Sequence, residues 1–400
     1  MLSGKHIVVG ISGGIAAYKM PEAIRLLRKA GAEVKVTCSR NALNFVTDLT
    51  LQTLSQNKVY SDVFAAINDH STEHISLPDW ADAMLIAPAT ADVICKLASG
   101  IADDALTTTA AAMRKPIIIA PAMNDKMYAA ESLQQAMQTL SQRSNVTCLD
   151  SADGFLACGT NGRGRMQEPA ALIEAVCAAL TDKTMANKRV LITVGPTQEA
   201  IDPVRYISNR STGKMGFAIA TACLRHGAQV TLVAGPCSAE LITPLYWNAP
   251  SNLSRIDVIT AEQMFEATIK AWSDADIAIL TAAVADLTPV TVADHKLKKG
   301  IDLQDSIPLK QTKDIAKALG DTKRANQQLI GFALETNDGE SNAMHKLQSK
   351  NMDKIVLNSL SDAGAGFGTD TNIVTIFCKD GTHQSYPLAS KQEVAEFILS

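Results

Sequence analysis

Short apolar runs alternate with amphipathic segments along the chain, and loops of small or polar residues separate them. Residues 6–10 form a β-branched run that predicts a strand, and residues 33–37 predict a second one. Between them an apolar helix side is predicted from Ile24, Leu26, Leu27 and Ala30, with Gly31 ending the helix. Such a short crossover implies parallel strands and a right-handed connection.

The same alternation begins again after Lys188. The segments predicted there are a strand, a long polar loop, a helix and a strand, at residues 189–195, 196–210, 215–226 and 229–233. Residues 80–92 and 274–286 also match one another, since each reads as a buried strand that runs into a small-residue loop with an aspartate at its end. We therefore predict two doubly wound α/β units with mainly parallel sheets.

Length and composition narrow the class of protein. The chain has 400 residues, 46% of them hydrophobic, and a net charge of −4, so we expect two or three globular domains and no general attraction to nucleic acid or membranes. The eight cysteines are scattered without a Cys-x-x-Cys pair, which argues against a disulfide framework and a zinc site. With neither a signal peptide nor a membrane span recognised, we expect a reducing, cytoplasmic setting.

A glycine pair follows the first predicted strand. Ser12, Gly13 and Gly14 open the helix, and bare backbone amides at a helix N-terminus make a phosphate cradle. The spacing is not Gly-x-Gly-x-x-Gly, so a dinucleotide fingerprint is absent and a mononucleotide such as FMN in a flavodoxin-like sheet fits better. A tight turn that needs glycine for packing remains the alternative.

Other polar residues of the first half also follow predicted strands or lie in polar loops. Asn124 offers a donor and an acceptor at the ligand edge of the sheet, although an asparagine in such a turn is often structural. His74 is a lone histidine. Cys158 lies in a glycine-rich segment with Arg163 and Arg165, which is typical of a flap that closes over substrate and carries a thiol proton donor.

These motifs, at residues 12–19, 74, 88–92, 121–128 and 157–166, resemble the flavin-dependent cysteine decarboxylases. The resemblance implies a flavodoxin-like fold, bound FMN, His74 as base or polariser, Asn124 on the substrate carboxylate and Cys158 as proton donor. It further implies a set of residues that bind cofactor: Ser12, Gly13, Gly14, Ser39, Pro88, Ala89, Thr90 and Asp92. Met123 and Arg165 would contact the substrate.

The second half contains a dense polar loop at residues 194–216, suited to wrapping a phosphate, but it is not a Walker loop. Lys296, Lys298 and Lys299 form a basic patch that follows the strand-end Asp286, where a triphosphate would be bound. Asp286 could instead meet Mg²⁺ or ribose hydroxyls. Helical spacing puts Lys346 and Lys350 on one face.

Residues 202–216, 282–286, 296–299, 331–336 and 366–372 resemble phosphopantothenate–cysteine ligases, whose bacterial form uses CTP. The resemblance implies that Asn209 holds an acyl-cytidylate, Arg205 assists phosphopantothenate binding and Lys296 stabilises charge. Further substrate contacts are implied for Ala282, Asp286, Lys313, Asp314, Ile315, Ala316, Phe332, Lys346 and Lys350. The usual Asn-Pro is missing from residues 310–315, which leaves the preference for CTP open, and the Mg²⁺ ligands cannot be assigned.

Together the two resemblances cover nearly the whole chain in the order of the bacterial bifunctional coenzyme A enzymes. We expect residues 1–184 to be a flavodoxin-like decarboxylase domain and residues 185–400 a Rossmann-like ligase domain. The family implies homo-oligomers, with trimeric decarboxylase domains, dimeric ligase domains and possibly a dodecamer. The alternatives are a two-domain nicotinamide dehydrogenase, which the missing dinucleotide fingerprint disfavours, and a flavin-binding regulatory protein without catalysis.

Overall fold

Two compact units divide the chain in the computed structural model, one spanning Met1–Thr181 and the other Asp182–Ser400. The structure describes residues 2–63, 73–155, 161–237, 251–298, 306–335, 338–359, 366 and 368–400. Within these ranges no helix is both long and apolar enough to cross a lipid bilayer. Each unit has its own sheet and its own apolar core.

A parallel sheet organises the first unit. Its strands are β1 (His6–Ile11), β2 (Glu33–Cys38), β3 (Val59–Tyr60), β4 (Ala83–Ala89), β5 (Ile117–Pro121) and β6 (Val146–Cys148). They pair in the order β3-β2-β1-β4-β5-β6. The chain winds outward in both directions from β1 and β4, so the carboxyl ends of these two strands flank the crevice where such sheets bind ligands.

Helices cover this sheet: α1 (Met20–Lys29), α2 (Asp48–Ser55), α3 (Glu73–Trp80), α4 (Ala91–Ser99), α5 (Ala105–Ala112), α6 (Asp125–Tyr128), α7 (Glu131–Ser141) and α8 (Pro169–Leu180). Helix α1 buries Met20, Ala23, Ile24 and Leu27, a spacing that gives one apolar stripe. Gly31 follows it with φ +95°, a conformation that favours glycine at a helix end. A hairpin of β7 (Ala152–Phe155) and β8 (Asn161–Arg165) precedes α8.

The second unit has a mixed sheet. Its strands are β9 (Arg189–Val194), β12 (Gln229–Ala234), β13 (Leu253–Asp257), β14 (Ile277–Leu280), β17 (Gln328–Glu335), β18 (Lys354–Ser359), β19 (Thr371–Cys378) and β20 (His383–Ser390). Two small antiparallel sheets pair β10 (Gln198–Ala200) with β11 (Tyr206–Ser208) and β15 (Leu287–Pro289) with β16 (Leu309–Gln311). The sheet order is β13-β12-β9-β14-β17-β18-β19-β20, and pairing is parallel except for β18–β19 and β19–β20.

The helices of the second unit are α9 (Lys214–Arg225), α10 (Ala261–Trp272), α11 (Ile315–Thr322), α12 (Gly339–Ser349) and α13 (Lys391–Leu399). Along β9, Val190 and Ile192 belong to one apolar cluster and Leu191 to another. Successive side chains of a strand point to opposite faces, so both faces of the sheet are covered. The two α/β units with mainly parallel sheets expected from the sequence are confirmed.

The long loop predicted at residues 196–210 is wrong in one respect, because β10 and β11 pair within it. The turn between them starts at Asp202, whose Oδ1 accepts hydrogen bonds from the amides of Val204 and Arg205, at 2.8 Å each. An aspartate that binds the amides ahead of it closes a tight turn. The hydrogen bonds of Asp202 therefore turn the chain back on itself, and this part of the predicted loop is a hairpin.

Candidate active sites

A cavity of about 1120 Å³ opens at the carboxyl ends of the parallel strands in the first unit. Ligand pockets span roughly 300–1,000 Å³, so the space exceeds that of one small ligand. Loops after β1, β2, β4 and β5 contribute to its wall. Of the residues implicated by the sequence, those lining it are Gly13, Gly14, Ser39, Thr90, Asp92, Met123, Asn124 and Arg165.

Ser12 lies beneath this wall and is fully buried. Its Oγ donates to the carbonyl oxygen of Pro88 at 2.6 Å and accepts from the amide of Thr90 at 3.1 Å. Ser12, Pro88 and Ala89 are not among the lining residues. The hydroxyl of Ser12 therefore joins the ends of β1 and β4, and its predicted contact with the cofactor stays a prediction.

Glycine at position 13 is required by the protein itself. A Cβ placed there would lie 2.4 Å from the Cβ of Asn41 and 3.0 Å from its backbone carbon. Gly14 has more room, since its nearest neighbour would be the Thr90 Cγ2 at 3.3 Å. The packing explanation for this glycine pair thus holds at Gly13, whether or not the turn also binds phosphate.

Three helical segments begin at the cavity wall, and none of them has a side-chain N-cap. Gly14 and Ser39 precede 3₁₀ helices of five residues, Ile15–Lys19 and Arg40–Asn44, and Thr90 precedes α4. None of the three accepts a hydrogen bond from the first amides through a side chain. Asp92 lies in the first turn of α4, not in a loop as expected. Uncapped first-turn amides bind anions well, because the helix dipole adds to their hydrogen bonds.

Two cations of the cavity share one carboxylate that the sequence did not single out. Lys19 and Arg165 both line the cavity. The Glu168 Oε1 lies 2.8 Å from the Lys19 Nζ and 2.6 Å from a terminal guanidinium nitrogen of Arg165. Lys19 is only 8% exposed. The one available signal was the position of Glu168 immediately before Pro169, at the start of α8.

Asn124 begins the short helix α6, where its Oδ1 accepts from the amide of Lys126 at 2.9 Å. The neighbouring amide of Met123 donates to the carbonyl oxygen of Gly164 at 2.9 Å, which ties the β7–β8 hairpin to the end of β5. Gly164 has φ +128°, and a Cβ there would lie 2.4 Å from the Met123 oxygen. The hairpin can approach this closely only with glycine.

The structure does not place the other two predicted catalytic residues of this unit, His74 and Cys158, at the cavity. His74 is half-buried in α3 and is not a lining residue of the cavity. Cys158 lies outside the described residues. Across the described ranges no three histidine, cysteine, aspartate or glutamate side chains converge as a metal site would require. The roles of His74 and Cys158 stay predictions.

In the second unit, loops after β9 and β14 are joined at the ligand edge of the sheet. The Asn209 Nδ2 donates to the carbonyl oxygens of Ala283 at 3.1 Å and Val284 at 3.0 Å. The Thr197 Oγ1 accepts from the amide of Ala285 at 3.0 Å. Asp286, which follows, is exposed. Asn209 and residues 282–286, separated by more than seventy positions, thus meet as the sequence motifs imply.

Arg205 has partners within the protein. Its Nε lies 3.0 Å from the Asp202 Oδ2, a terminal nitrogen contacts the same oxygen, and that nitrogen also donates to the carbonyl oxygen of Leu297 at 2.9 Å. The hydrogen bond from Arg205 lowers the pKa of Asp202, and the amides of Val204, Arg205 and Leu297 lower it further against the opposing effect of burial. Asp202 begins the motif at residues 202–216, but the sequence assigned it no role.

The residues implied to contact CTP are held in ion pairs. The Lys346 Nζ lies 2.7 Å from the Glu335 Oε1, and the Lys350 Nζ lies 2.8 Å from the Asp314 Oδ2. Burial opposes ionisation of Asp314, but the hydrogen bond from Lys350 and the amide of Lys317 outweigh it, so the pKa lies below its ordinary value. Lys313 pairs with Glu262.

The other members of that set differ in exposure. Ile315 is 7% exposed and packs in the core, so its side chain is not available to a ligand. Phe332 is half-buried in β17, Ala282 and Ala316 are half-buried, and Lys296 is exposed. Lys299 lies outside the described residues. A second cavity, of about 500 Å³, lies at the end of β13 against α10, where the sequence had indicated nothing.

Comparisons with known proteins give the family. Residues 1–181 match the family described as Flavoprotein, and residues 185–400 match the DNA/pantothenate metabolism flavoprotein C-terminal domain. The coenzyme A biosynthesis bifunctional protein CoaBC of Bacillus subtilis (strain 168) is 46% identical over 403 residues, which cover 100% of this chain and 97% of the relative. Its Haemophilus influenzae namesake (strain ATCC 51907 / DSM 11121 / KW20 / Rd) is 45% identical over 400 residues, covering 100% and 97%.

Among solved structures, the crystal structure of the C-terminal domain of a coenzyme A biosynthesis bifunctional protein CoaBC is 42% identical to this chain. The alignment covers 55% of this chain and 95% of the solved chain, with a TM-score of 0.44. The full-length relatives and the two domain matches confirm the family expected from the motifs, and the flavoprotein match disfavours the dehydrogenase alternative. This chain therefore belongs to the family of bifunctional coenzyme A biosynthesis proteins.

Proposed function

We propose that this chain performs two successive steps of coenzyme A biosynthesis. The second unit joins cysteine to 4′-phosphopantothenate at the expense of CTP, and the first unit decarboxylates the resulting 4′-phosphopantothenoyl-cysteine to 4′-phosphopantetheine. The observation that carries the proposal is the match to full-length bifunctional relatives across both units. The product of one unit is the substrate of the other, which makes the pairing chemically coherent.

FMN is the flavin proposed for the first unit. The cavity of about 1120 Å³ and the uncapped helix starts at Gly14, Ser39 and Thr90 fit a ligand that has a planar ring and a phosphate. When bound, FMN supplies the two-electron redox chemistry that makes loss of CO₂ from an otherwise unactivated carbon feasible. The protein residues bind, orient and shield the reacting groups.

In the decarboxylase unit, the side-chain amide of Asn124 is proposed to bind the carboxylate that leaves as CO₂. Arg165 and Lys19, both lining the cavity, supply positive charge for the anionic substrate, and Met123 contacts it. His74 is proposed as the base or polariser and Cys158 as the proton donor, through its Sγ, to the reacting carbon. Cys158→Ser should then block completion of the reaction after CO₂ loss.

In the ligase unit, the carboxylate of phosphopantothenate attacks the α-phosphorus of CTP and releases pyrophosphate. The cysteine amine then attacks the acyl carbonyl carbon and releases CMP, which forms the amide. Lys296 is proposed to stabilise the charge that develops on the phosphate, and Asn209 to hold the acyl-cytidylate. The CTP site is proposed to include Ala282, Asp286, Phe332, Lys346 and Lys350, with Lys313, Asp314 and Ala316.

Magnesium is proposed to arrive with the triphosphate. Mg²⁺ keeps several water ligands and binds mainly to substrate phosphates, so one or two protein carboxylates suffice. Asp286, exposed at the ligand edge, is a suitable carboxylate. Apolar side chains exposed on or beside the two small antiparallel sheets of this unit, Val204, Tyr206 and Leu287 among them, support association of ligase units as dimers. The family implies trimers of the flavoprotein units. Light scattering tests this assembly.

The decisive experiment supplies the full chain with phosphopantothenate, cysteine and Mg²⁺, with CTP or ATP in parallel reactions. We expect a flavin absorption band in the protein, pyrophosphate release with CTP, and an equal amount of CO₂. A colourless protein that flavin cannot reconstitute would refute the decarboxylase assignment. Pyrophosphate without CO₂ would leave the first unit a flavin binder, and no pyrophosphate with either nucleotide would refute the ligase assignment.

A further inference from the structure

We propose that Asp202 is a positioning residue of the ligase reaction, acting with Arg205 to hold the lysine-bearing segment of residues 296–298 against the β10–β11 hairpin. The inference rests on the proposed ligase function, in which Lys296 stabilises charge on CTP. It changes the role implied for Arg205 by the family resemblance, from contact with phosphopantothenate to fixing the backbone at Leu297.

The side chain of Asp202 has no exposed surface. Its Oδ1 closes the hairpin turn through the amides of Val204 and Arg205, and its Oδ2 accepts from the guanidinium of Arg205. The same Oδ2 accepts from the amide of Leu297 at 3.2 Å. A carboxylate with this many donors is both fixed in place and held in its ionised form.

The backbone of Leu297 is bound at both polar groups. Its N–H donates to Asp202, and its carbonyl oxygen accepts from Arg205 at 2.9 Å. A further tie joins the two segments, since the amide of Ala293 donates to the carbonyl oxygen of Ile201 at 3.0 Å. The Asp202–Arg205 pair thus takes the place of a neighbouring strand for Leu297 and fixes both flanking lysines, Lys296 and Lys298.

This attachment matters because Lys296 and Lys298 are exposed and have long flexible side chains. A cation stabilises a developing phosphate charge only from a fixed position, and an error of about 1 Å can cost a hundredfold in rate. Asp202 and Leu297 are 95 positions apart, so the contact that fixes the lysine segment comes from a distant part of the chain, the β10–β11 hairpin.

Asp202→Asn in the full-length chain tests the proposal, because it keeps the size of the side chain but removes its charge. We expect the kcat of pyrophosphate release to fall about a hundredfold, while the KM for phosphopantothenate changes less than about threefold. Arg205→Lys should give the same pattern, and the double variant should be no worse than either single one. A large rise in the KM for phosphopantothenate in Arg205→Lys alone would overturn the proposal in favour of direct substrate contact.

Tryptic digestion gives a second readout that does not depend on ligase activity. Trypsin cleaves after Lys296 and Lys298, beside the backbone groups that Asp202 and Arg205 bind, so Asp202→Asn should raise the cleavage rate there about tenfold. Cleavage after Arg143, in the turn between α7 and β6 of the first unit, serves as the internal reference. Unchanged cleavage at 296–298 would overturn the proposal even if the wild-type chain proved inactive as a ligase.

Asp380→Asn is the matched control variant. Asp380 also closes a turn, since its Oδ1 accepts from the amide and hydroxyl of Thr382, but it lies outside the proposed site. It should leave both the kinetics and the cleavage at residues 296–298 unchanged. Equal effects of Asp202→Asn and Asp380→Asn would show general destabilisation and overturn the positioning role.

Discussion

Ser12 shows how a residue implied to bind a cofactor can act on the site from beneath it. Its hydroxyl is fully buried and bridges the carbonyl of Pro88 and the amide of Thr90, so it sets the spacing of the two strand ends that flank the crevice. Asp202 is likewise a buried polar side chain that joins two segments of the other unit. Single polar groups that make buried hydrogen bonds are costly to remove, which makes both positions sensitive to substitution.

Ser12→Ala should weaken flavin binding, because the amide of Thr90 loses its partner and only the backbone amide of Ser12 still binds the carbonyl oxygen of Pro88. We expect a loss of about 1–3 kcal/mol in stability and a rise of about tenfold in the Kd for FMN, followed by flavin fluorescence. Thr109→Val is the control, since the buried hydroxyl of Thr109 bonds only within its own helix, to Ala105. An unchanged Kd in Ser12→Ala would contradict the prediction.

Two buried thiols predict how stability depends on alkaline pH. Burial raises the pKa of Cys38 to about 12, with a contribution from Asp48, and burial raises that of Cys223 to about 12, with a contribution from Glu396. A pKa raised above the unfolded value of 9.0 gives stability that is present below that value and is lost as pH rises toward 12.

The expected loss is about 1.4 kcal/mol per pH unit for each thiol above pH 9. Urea unfolding at several pH values measures it, and the Cys38→Ala, Cys223→Ala double variant should show a correspondingly shallower decline. Identical slopes for the variant and the wild-type chain would rule out these thiols as the source. The comparison cancels the titration of lysine and tyrosine side chains, which both chains share.

At the scale of elements, the β7–β8 hairpin is fastened to the cavity wall at two points. Gly164 lies against Met123, and Arg165 shares the carboxylate of Glu168 with Lys19. Glu168 is also the residue that precedes α8. Its side chain therefore links the start of that helix to the hairpin, through Arg165, and to the segment after β1, through Lys19. The arrangement positions two cations that would otherwise repel one another.

Glu168→Gln should release Arg165 and Lys19 from their shared partner. We expect the KM for phosphopantothenoyl-cysteine to rise about tenfold with a smaller change in kcat, because charge-assisted hydrogen bonds that orient the cations are replaced by weaker ones. Carbon dioxide release at varied substrate concentration measures both constants. Glu131→Gln, in the first turn of α7, should leave them unchanged. A KM unaffected by Glu168→Gln would contradict the prediction that Glu168 orients these cations for the substrate.

At the scale of the whole molecule, the two units have separate sheets and cores, so each should retain its activity when the other is damaged. Each carries its polar groups at the carboxyl edge of its sheet, where loops from distant parts of the chain meet. The functional consequence is that a variant in one unit should affect one reaction only.

Asn209→Asp is predicted to damage ligation and spare decarboxylation. An aspartate cannot donate to the carbonyl oxygens of Ala283 and Val284 and would repel them, so we expect pyrophosphate release to fall about a hundredfold. Carbon dioxide release from supplied phosphopantothenoyl-cysteine should be unchanged. Loss of both activities would contradict the independence of the units. Asn145→Asp, at a surface asparagine that bonds to Lys115, is the control.

The sequence by itself determined the two α/β units, the strand-end loops and the family, because hydrophobic periodicity and turn residues act over a few positions. It also pointed to Asn124 and Asn209. The tertiary structure alone decided that Ser12 lies beneath the cavity, that Glu168 joins Lys19 across 149 positions, and that Asp202 binds Leu297 across 95. The geometry of hydrogen bonds between distant segments depends on how loops pack together, and no local pattern records it.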